Sequence, residues 1–245
     1  MAWVAGCVDA VGYLSLYHLF TAHMSGNMAA MGAYLGEGQW REALYRASPI
    51  PFFLLGVIIG TILTEWTIRC GLRSPFSVVL TLEALALGTI IFFGNAPQGG
   101  LQTETVTEFY LLAALPALSM GLQSTTFRRV GRYTIRTSYI TGTLTALSEE
   151  VVKYLFWSYD RTHRHEMESA GLHPATVNQI VLKRIFLSGG LVLGFALGAT
   201  FGGFAHQLWQ LRSLIFPLVA LLFVIAFDLI HPLYKPSPLD QKIGL

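Results

Sequence analysis

Charge is scarce in this sequence. Asp, Glu, Lys and Arg supply only 12% of the 245 residues, about half the share of an ordinary soluble domain, and so few cannot cover a water-facing surface. Cysteine is nearly missing. Cys7 and Cys70 have no spacing that resembles a metal site, and both lie in or beside apolar segments where packing is their expected role. An excess of one sign is missing too: the formal net charge is +2, and the basic residues fall in short clusters between apolar runs, so no nucleic-acid partner is expected. No basic region precedes the first apolar stretch, which therefore does not read as a cleaved secretory signal and is expected to remain as a span. There is no nucleophile elbow, phosphate-cradling glycine loop or dinucleotide fingerprint. Neither an enzymatic role nor a cofactor is expected.

Apolar residues fill the space that charge leaves. They make up 53% of the chain, and the mean hydropathy is +0.53. Crossing about 30 Å of hydrocarbon takes roughly 20 helical residues. Runs of that kind cover about 2–20, 50–68, 76–94, 109–127, 184–205 and 213–231. Two shorter stretches, 24–35 and 137–147, follow the first and fourth runs and suggest half-helices or re-entrant segments. With six crossings and both termini in the cytoplasm, thirteen of the 16 Lys and Arg fall on the inner side, which is the bias expected of a membrane protein. Counting the two short stretches as full spans would erase that bias. The polar loop at about 158–182 is then a cytoplasmic connector, and the expected location is the cytoplasmic membrane, with the lipid bilayer as the main partner.

The chain also reads as two related halves, 1–95 and 109–233, within one membrane domain. Thr21-Ala22-His23-Met24-Ser25-Gly26-Asn27-Met28 aligns with Thr137-Ser138-Tyr139-Ile140-Thr141-Gly142-Thr143-Leu144. Leu55-Gly56 and Gly60-Thr61 align with Leu193-Gly194 and Gly198-Ala199, and Leu72-Arg73-Ser74 with Leu211-Arg212-Ser213. Three crossings per half is an odd number, so the second half enters from the opposite side. The expected fold is all-α, a 3+3 inverted repeat with a broken helix after spans one and four, an architecture that many secondary transporters use to hold substrate near the midplane. Duplication that merely made a stable bundle is the alternative.

The broken segments carry the candidate chemistry. Ser25 and Asn27 are N-cap residue types, and Gly26 permits close approach, so a helix start at membrane depth could offer N–H groups to a polar or anionic solute. Satisfying the broken backbone is the competing role. Tyr139, Thr141, Gly142 and Thr143 repeat the same chemistry. Asp9 lies near the middle of the first span and Glu83 in the third, where ionisable groups are costly; for Glu83 a structural, hydrogen-bonded carboxyl is favoured. Asp228 is expected to be interfacial. Gln123 could bond a neighbouring helix or a ligand. Arg128, Arg129, Arg132 and Arg136 could attract an anion, although topology alone explains a cytoplasmic cluster there. The candidate solute site is thus Asp9, His23, Ser25, Gly26, Asn27, Gln123, Arg136, Tyr139, Thr141, Gly142 and Thr143. His163, His165 and His173 beside Glu166 suit an exposed loop better than a metal site. Small residues at four-residue spacing, Gly56 with Gly60 and Gly194 with Gly198 and Gly202, allow close helix packing and make a homo-oligomer plausible.

These motifs resemble the YoaK-like family of bacterial membrane proteins, a domain-of-unknown-function family. The resemblance rests on Gly6-Cys7-Val8-Asp9-Ala10 with Tyr13-Leu14, on residues 20–27, on Gly121-Leu122-Gln123 with Arg128-Arg129, and on residues 136–143. Ser25 stands where the family pattern more often has Thr. The resemblance covers nearly the whole chain and implies about six spans in the cytoplasmic membrane, with no established substrate. A small-solute transporter is the expected function, a membrane scaffold or partner-binding protein is the alternative, and an intramembrane enzyme ranks last.

Overall fold

The computed structural model describes residues 1–16, 18–93, 106–126, 140–163 and 174–232. Among them every regular element is helical: α1 (Ala2–Ser15), α2 (Met24–Gly36), α3 (Trp40–Ala47), α4 (Pro49–Arg69), α5 (Pro75–Phe93), α6 (Val106–Thr126), α7 (Ile140–His163), α8 (Pro174–Trp209) and α9 (Ile215–Ile230). Proline opens α4, α5 and α8, where its fixed φ suits the first helical turn and its missing N–H is not needed. Gly71 and Gln210 both adopt positive φ, +69° and +47°. Each directly precedes a Leu-Arg-Ser segment that leads into the next long helix.

Three described stretches are long and apolar enough to cross a bilayer: Trp40–Arg69, Pro75–Phe92 and Val181–Ile230, the last interrupted by the 3-10 turn Gln210–Leu214. Their outer faces are apolar as well. Leu54, Ile58, Ile62 and Trp66 recur at four-residue spacing on α4, each more than half exposed, a stripe that water would not tolerate on a soluble monomer. Inside, Val4, Val8 and Val11 of α1 meet Leu80 and Leu87 of α5, Ala113 and Met120 of α6 and Leu221 of α9.

Two helix crossings organise the bundle, α1 against α8 and α4 against α6. At the first, a Cβ on Gly6 would strike the carbonyl of Phe195, and one on Gly198 would strike the carbonyl of Trp3. At the second, Gly121 faces the carbonyl of Phe53, and Gly56 faces the carbonyl of Leu118. In all four cases the opposing carbonyl lies three residues before the glycine of the other helix. The contact partner that matches Gly56 is therefore Gly198, one turn beyond the Gly194 paired with it by sequence. Gly194 makes only an ordinary contact with Ala2.

Three expectations need correction. The first apolar run is not helical to residue 20: α1 ends at Ser15 after 14 residues, about 21 Å at helical rise, because the chain turns through a positive-φ His18. Ser25 and Asn27 do not cap α2; they sit in its first turn, with His23 at the N-cap. The second short stretch, and the described ends of the connector at 158–182, are helical further than expected. From Ile140 α7 runs through to His163, and α8 starts at Pro174. The apolar run stops near Leu147, but the polar residues after it are helix formers: Lys153 pairs with Glu149 and Glu150 at 3.9 and 3.7 Å, and Arg184 of α8 reaches Glu150 at 3.2 Å.

Candidate functional site

The break between α1 and α2 is built around Asp9. Its Oδ1 accepts the Thr21 N–H at 2.7 Å, the Ala22 N–H at 2.8 Å and the Thr21 hydroxyl at 3.0 Å. Its Oδ2 lies 2.5 Å from Nδ1 of His23. The carboxylate thus supplies the acceptors that the interrupted backbone lost, which is what a non-helical segment needs where water is excluded. Asn27 does the same for Phe20, accepting its N–H at 3.0 Å and donating to its carbonyl at 2.7 Å. Arg46 of α3 closes the other end by donating to the His18 carbonyl at 2.6 Å. A Cβ on Gly26 would press on the Phe20 ring at 3.0 Å, so the ring would have to shift to admit a side chain there.

Two cavities flank this break. The larger, about 400 Å³, is lined by Gly6, Ala10 and Ala199, by the aromatics Tyr13, Phe20 and Phe195, and by Asp9, His23, Ser25 and Gly26. The smaller, about 190 Å³, is lined by Ala22, His23, Met24, Ser25 and Phe53 together with Ile140, Thr141 and Gly142. His23 and Ser25 belong to both. The start of α7 therefore lies across the smaller cavity from the start of α2, and Phe53 lines one cavity as Phe195 lines the other, each three residues before a crossing glycine. With Nδ1 held by Asp9, Nε2 is the ring nitrogen of His23 not engaged by that pair, and Ser25 is exposed. Among the described residues no Lys or Arg lines either cavity.

The remaining sequence candidates divide. Thr141 and Gly142 are exposed at the smaller cavity, and Thr143 is half-buried next to them. Gln123 is buried on α6 and lines neither cavity. Arg136 and Tyr139 lie outside the described residues, as do Arg128, Arg129 and Arg132 and the His165, Glu166 and His173 group; of His163 only the backbone is described. Asp228 lies near the end of α9. It is fully buried, and its Oδ2 accepts the Ser77 hydroxyl at 2.6 Å while its carbonyl accepts that of Ser74 at 2.8 Å, tying α9 to α5. Of the aromatics at the cavities, Tyr13 and Phe20 fall in the motifs that carry the family resemblance, whereas Phe53 and Phe195 were not singled out in the sequence. Nothing in the sequence separates them from the many other aromatics of the spans.

A family model described as "Protein of unknown function (DUF1275)" matches residues 1–227. The chain belongs to the DUF1275 family. A curated relative, "UPF0700 transmembrane protein YoaK" of Bacillus subtilis (strain 168), is 31% identical over 156 residues, which is 62% of this chain and 65% of the relative. The match thus spans just under two thirds of that protein. No solved structure matches. With a transmembrane relative and lipid-suited outer faces on its long helices, this DUF1275 chain is an integral membrane protein.

Proposed function

We propose that the chain is a small-solute transporter built as a 3+3 inverted repeat, with the solute held at His23 and Ser25 between the two cavities. The observation that carries this reading is that these two side chains line both cavities, one of which reaches Thr141 and Gly142 of the second broken motif. The reciprocal glycine crossings support the repeat, because a two-fold relation in the membrane plane exchanges α1·α8 with α6·α4. In this reading α1, α4 and α5 form one half and α6, α8 and α9 the other, with the termini and the turn at 70–74 cytoplasmic.

Asp9 and Asn27 hold the break and position His23, and the solute meets the imidazole Nε2, the Ser25 hydroxyl, Thr141 and the aromatic walls. While Asp9 accepts from Nδ1, a neutral ring offers Nε2 as an acceptor, and a second proton turns it into a donor without giving the Asp9–His23 pair a net charge. The site thus suits a small polar solute. For an anionic one, Tyr139, directly before Ile140, and Arg136, four residues before it, would complete the recognition. The test is uptake into proteoliposomes of radiolabelled amino acids, nucleobases and small carboxylates, chosen after a thermal-shift screen of the same compounds. His23→Ala and Ser25→Ala should bring uptake of any transported compound to background while the protein stays folded. Undiminished uptake in both variants would sink the site.

A further inference from the structure

A third cavity, about 600 Å³, lies away from the broken helices, where α8 turns into α9 and α5 ends. Ile91 and Phe92 of α5, Trp209 at the end of α8, Arg212 of the turn Gln210–Leu214, and Ile215 and Phe216 of α9 line it. Trp209 is ten residues along α8 from Ala199 of the larger cavity, about 15 Å at helical rise. The third cavity shares no lining residue with the other two.

Among the described residues α9 packs on α5 rather than on α8. The chain reverses through residues 210–214, and rings instead of close backbones join the two helices there: Phe216 meets Trp209 at 5.3 Å and Phe201 at 5.1 Å between centroids. The wedge between them opens outward, since Phe92, Trp209 and Ile215 are all exposed. Its depth in the bilayer follows from the elements that meet in it. Val181–Ile230 is long and apolar enough to cross and is interrupted by this turn, so the turn lies at a boundary of the hydrocarbon, where tryptophan is a favoured anchor. Arg212 is the one charged residue among the described lining. Its side chain is exposed and has no hydrogen bond or ion pair among the described residues.

We propose that this cavity holds one anionic glycerophospholipid of the phosphatidylglycerol type, with its phosphate on the Arg212 guanidinium and an acyl chain laid between Phe92 and Phe216. Three features select this occupant. Apart from Arg212 the described lining is apolar, which suits hydrocarbon and offers a soluble anion nothing beyond one contact. A guanidinium takes a phosphate through two parallel bonds in a fixed fork. No Asp or Glu is among the described lining residues, so the ammonium of a zwitterionic lipid finds no acceptor and faces a like charge instead. A basic side chain at a cleft between spans is also a general means of holding an anionic lipid headgroup. The site stands or falls without the transport reading.

The test is native mass spectrometry of the purified full-length chain, released from micelles that hold phosphatidylglycerol and phosphatidylethanolamine of matched chains in equal amounts. The expected result is one retained phosphatidylglycerol per chain, preferred by about fivefold, the discrimination that one like-charge contact gives near water. That preference should vanish in Arg212→Gln and survive in Arg212→Lys. It should survive as well in Arg73→Gln, whose exposed arginine lies in the Leu72-Arg73-Ser74 segment that matches Leu211-Arg212-Ser213. Equal retention of the two lipids, or an unchanged preference in Arg212→Gln, would overturn the site. A preference lost in Arg73→Gln too would overturn it by assigning the effect to overall charge, and release of the lipid by millimolar sodium phosphate would overturn it by making Arg212 a contact for a free anion. Location is read separately. Phosphatidylglycerol brominated on its acyl chains should quench part of the tryptophan fluorescence saturably, and that part should be missing in Trp209→Phe. Saturable quenching that persists in Trp209→Phe puts the lipid elsewhere and overturns the site.

Discussion

Both oxygens of Asp9 are engaged by the chain itself, as are both polar atoms of Asn27, which gives each substitution near the break a distinct expected outcome. Asn27→Ala orphans the N–H and carbonyl of Phe20; each buried orphan costs about 1–3 kcal/mol, and because Phe20 is only half-buried a loss in the lower part of the summed range of about 2–6 kcal/mol is expected. Asp9→Ala removes the acceptor of two backbone N–H groups and a hydroxyl and should cost more. Asp9→Asn keeps an acceptor at Oδ1 and should cost less than either. Ser25→Ala, on an exposed side chain, should change stability by under about 0.5 kcal/mol. Denaturant unfolding in detergent ranks the four, and equal losses for Asp9→Asn and Asp9→Ala would show that the charge matters more than the backbone bonds. The residue types of this site were legible because a carboxylate, an amide and a glycine are conspicuous in an apolar run. Their partners were not, since nothing in the spacing says that Asp9 folds back twelve residues ahead onto Thr21.

At the scale of elements, apolar length located the long helices but misjudged their ends. Hydropathy follows the apolar run and has no means of registering a helix that continues past it, so the end of α7 from about residue 158 and the first residues of α8 were read as loop. At 36 residues, α8 extends about 54 Å, well beyond a 30 Å hydrocarbon core. Packing register was similarly out of reach: Gly194 and Gly198 are equivalent in sequence, and only the crossing distinguishes them. That difference is measurable. Gly198→Ala forces a Cβ into the Trp3 carbonyl, and Gly56→Ala forces one into that of Leu118. Both backbones must then separate, at about 1–3 kcal/mol for overpacking, less the gain of up to about 1 kcal/mol from replacing a helical glycine. Gly194→Ala, whose new Cβ lies 3.7 Å from that of Ala2, has only the gain. Thermal unfolding should therefore place Gly198→Ala and Gly56→Ala below the unaltered protein and Gly194→Ala at or above it. The opposite order would mean that the crossings are not where the glycines put them.

For the whole molecule, the inverted repeat makes a claim about sides that two thiols can test. Cys70 is exposed in the turn between α4 and α5, flanked by Arg69 and Arg73, whereas Cys7 is buried. In the proposed topology the basic residues at that turn put it on the cytoplasmic side, following the positive-inside bias. The matching turn of the second half, where Gln210 takes the positive φ that Gly71 takes in the first, then lies outside. A membrane-impermeant maleimide should label Cys70 in inverted vesicles and leave it untouched in intact spheroplasts. In a Cys70→Ser background, Gln210→Cys should give the reverse, because Gln210 is exposed and an odd number of crossings separates the two turns. Labelling of both positions from one side would require an even number of crossings between them, which removes the two-fold relation and with it the architectural support for a solute site shared by the two broken helices. Labelling from opposite sides in the swapped sense would keep the repeat and invert the whole protein in the membrane, leaving the cavities intact but exchanging the compartments they face.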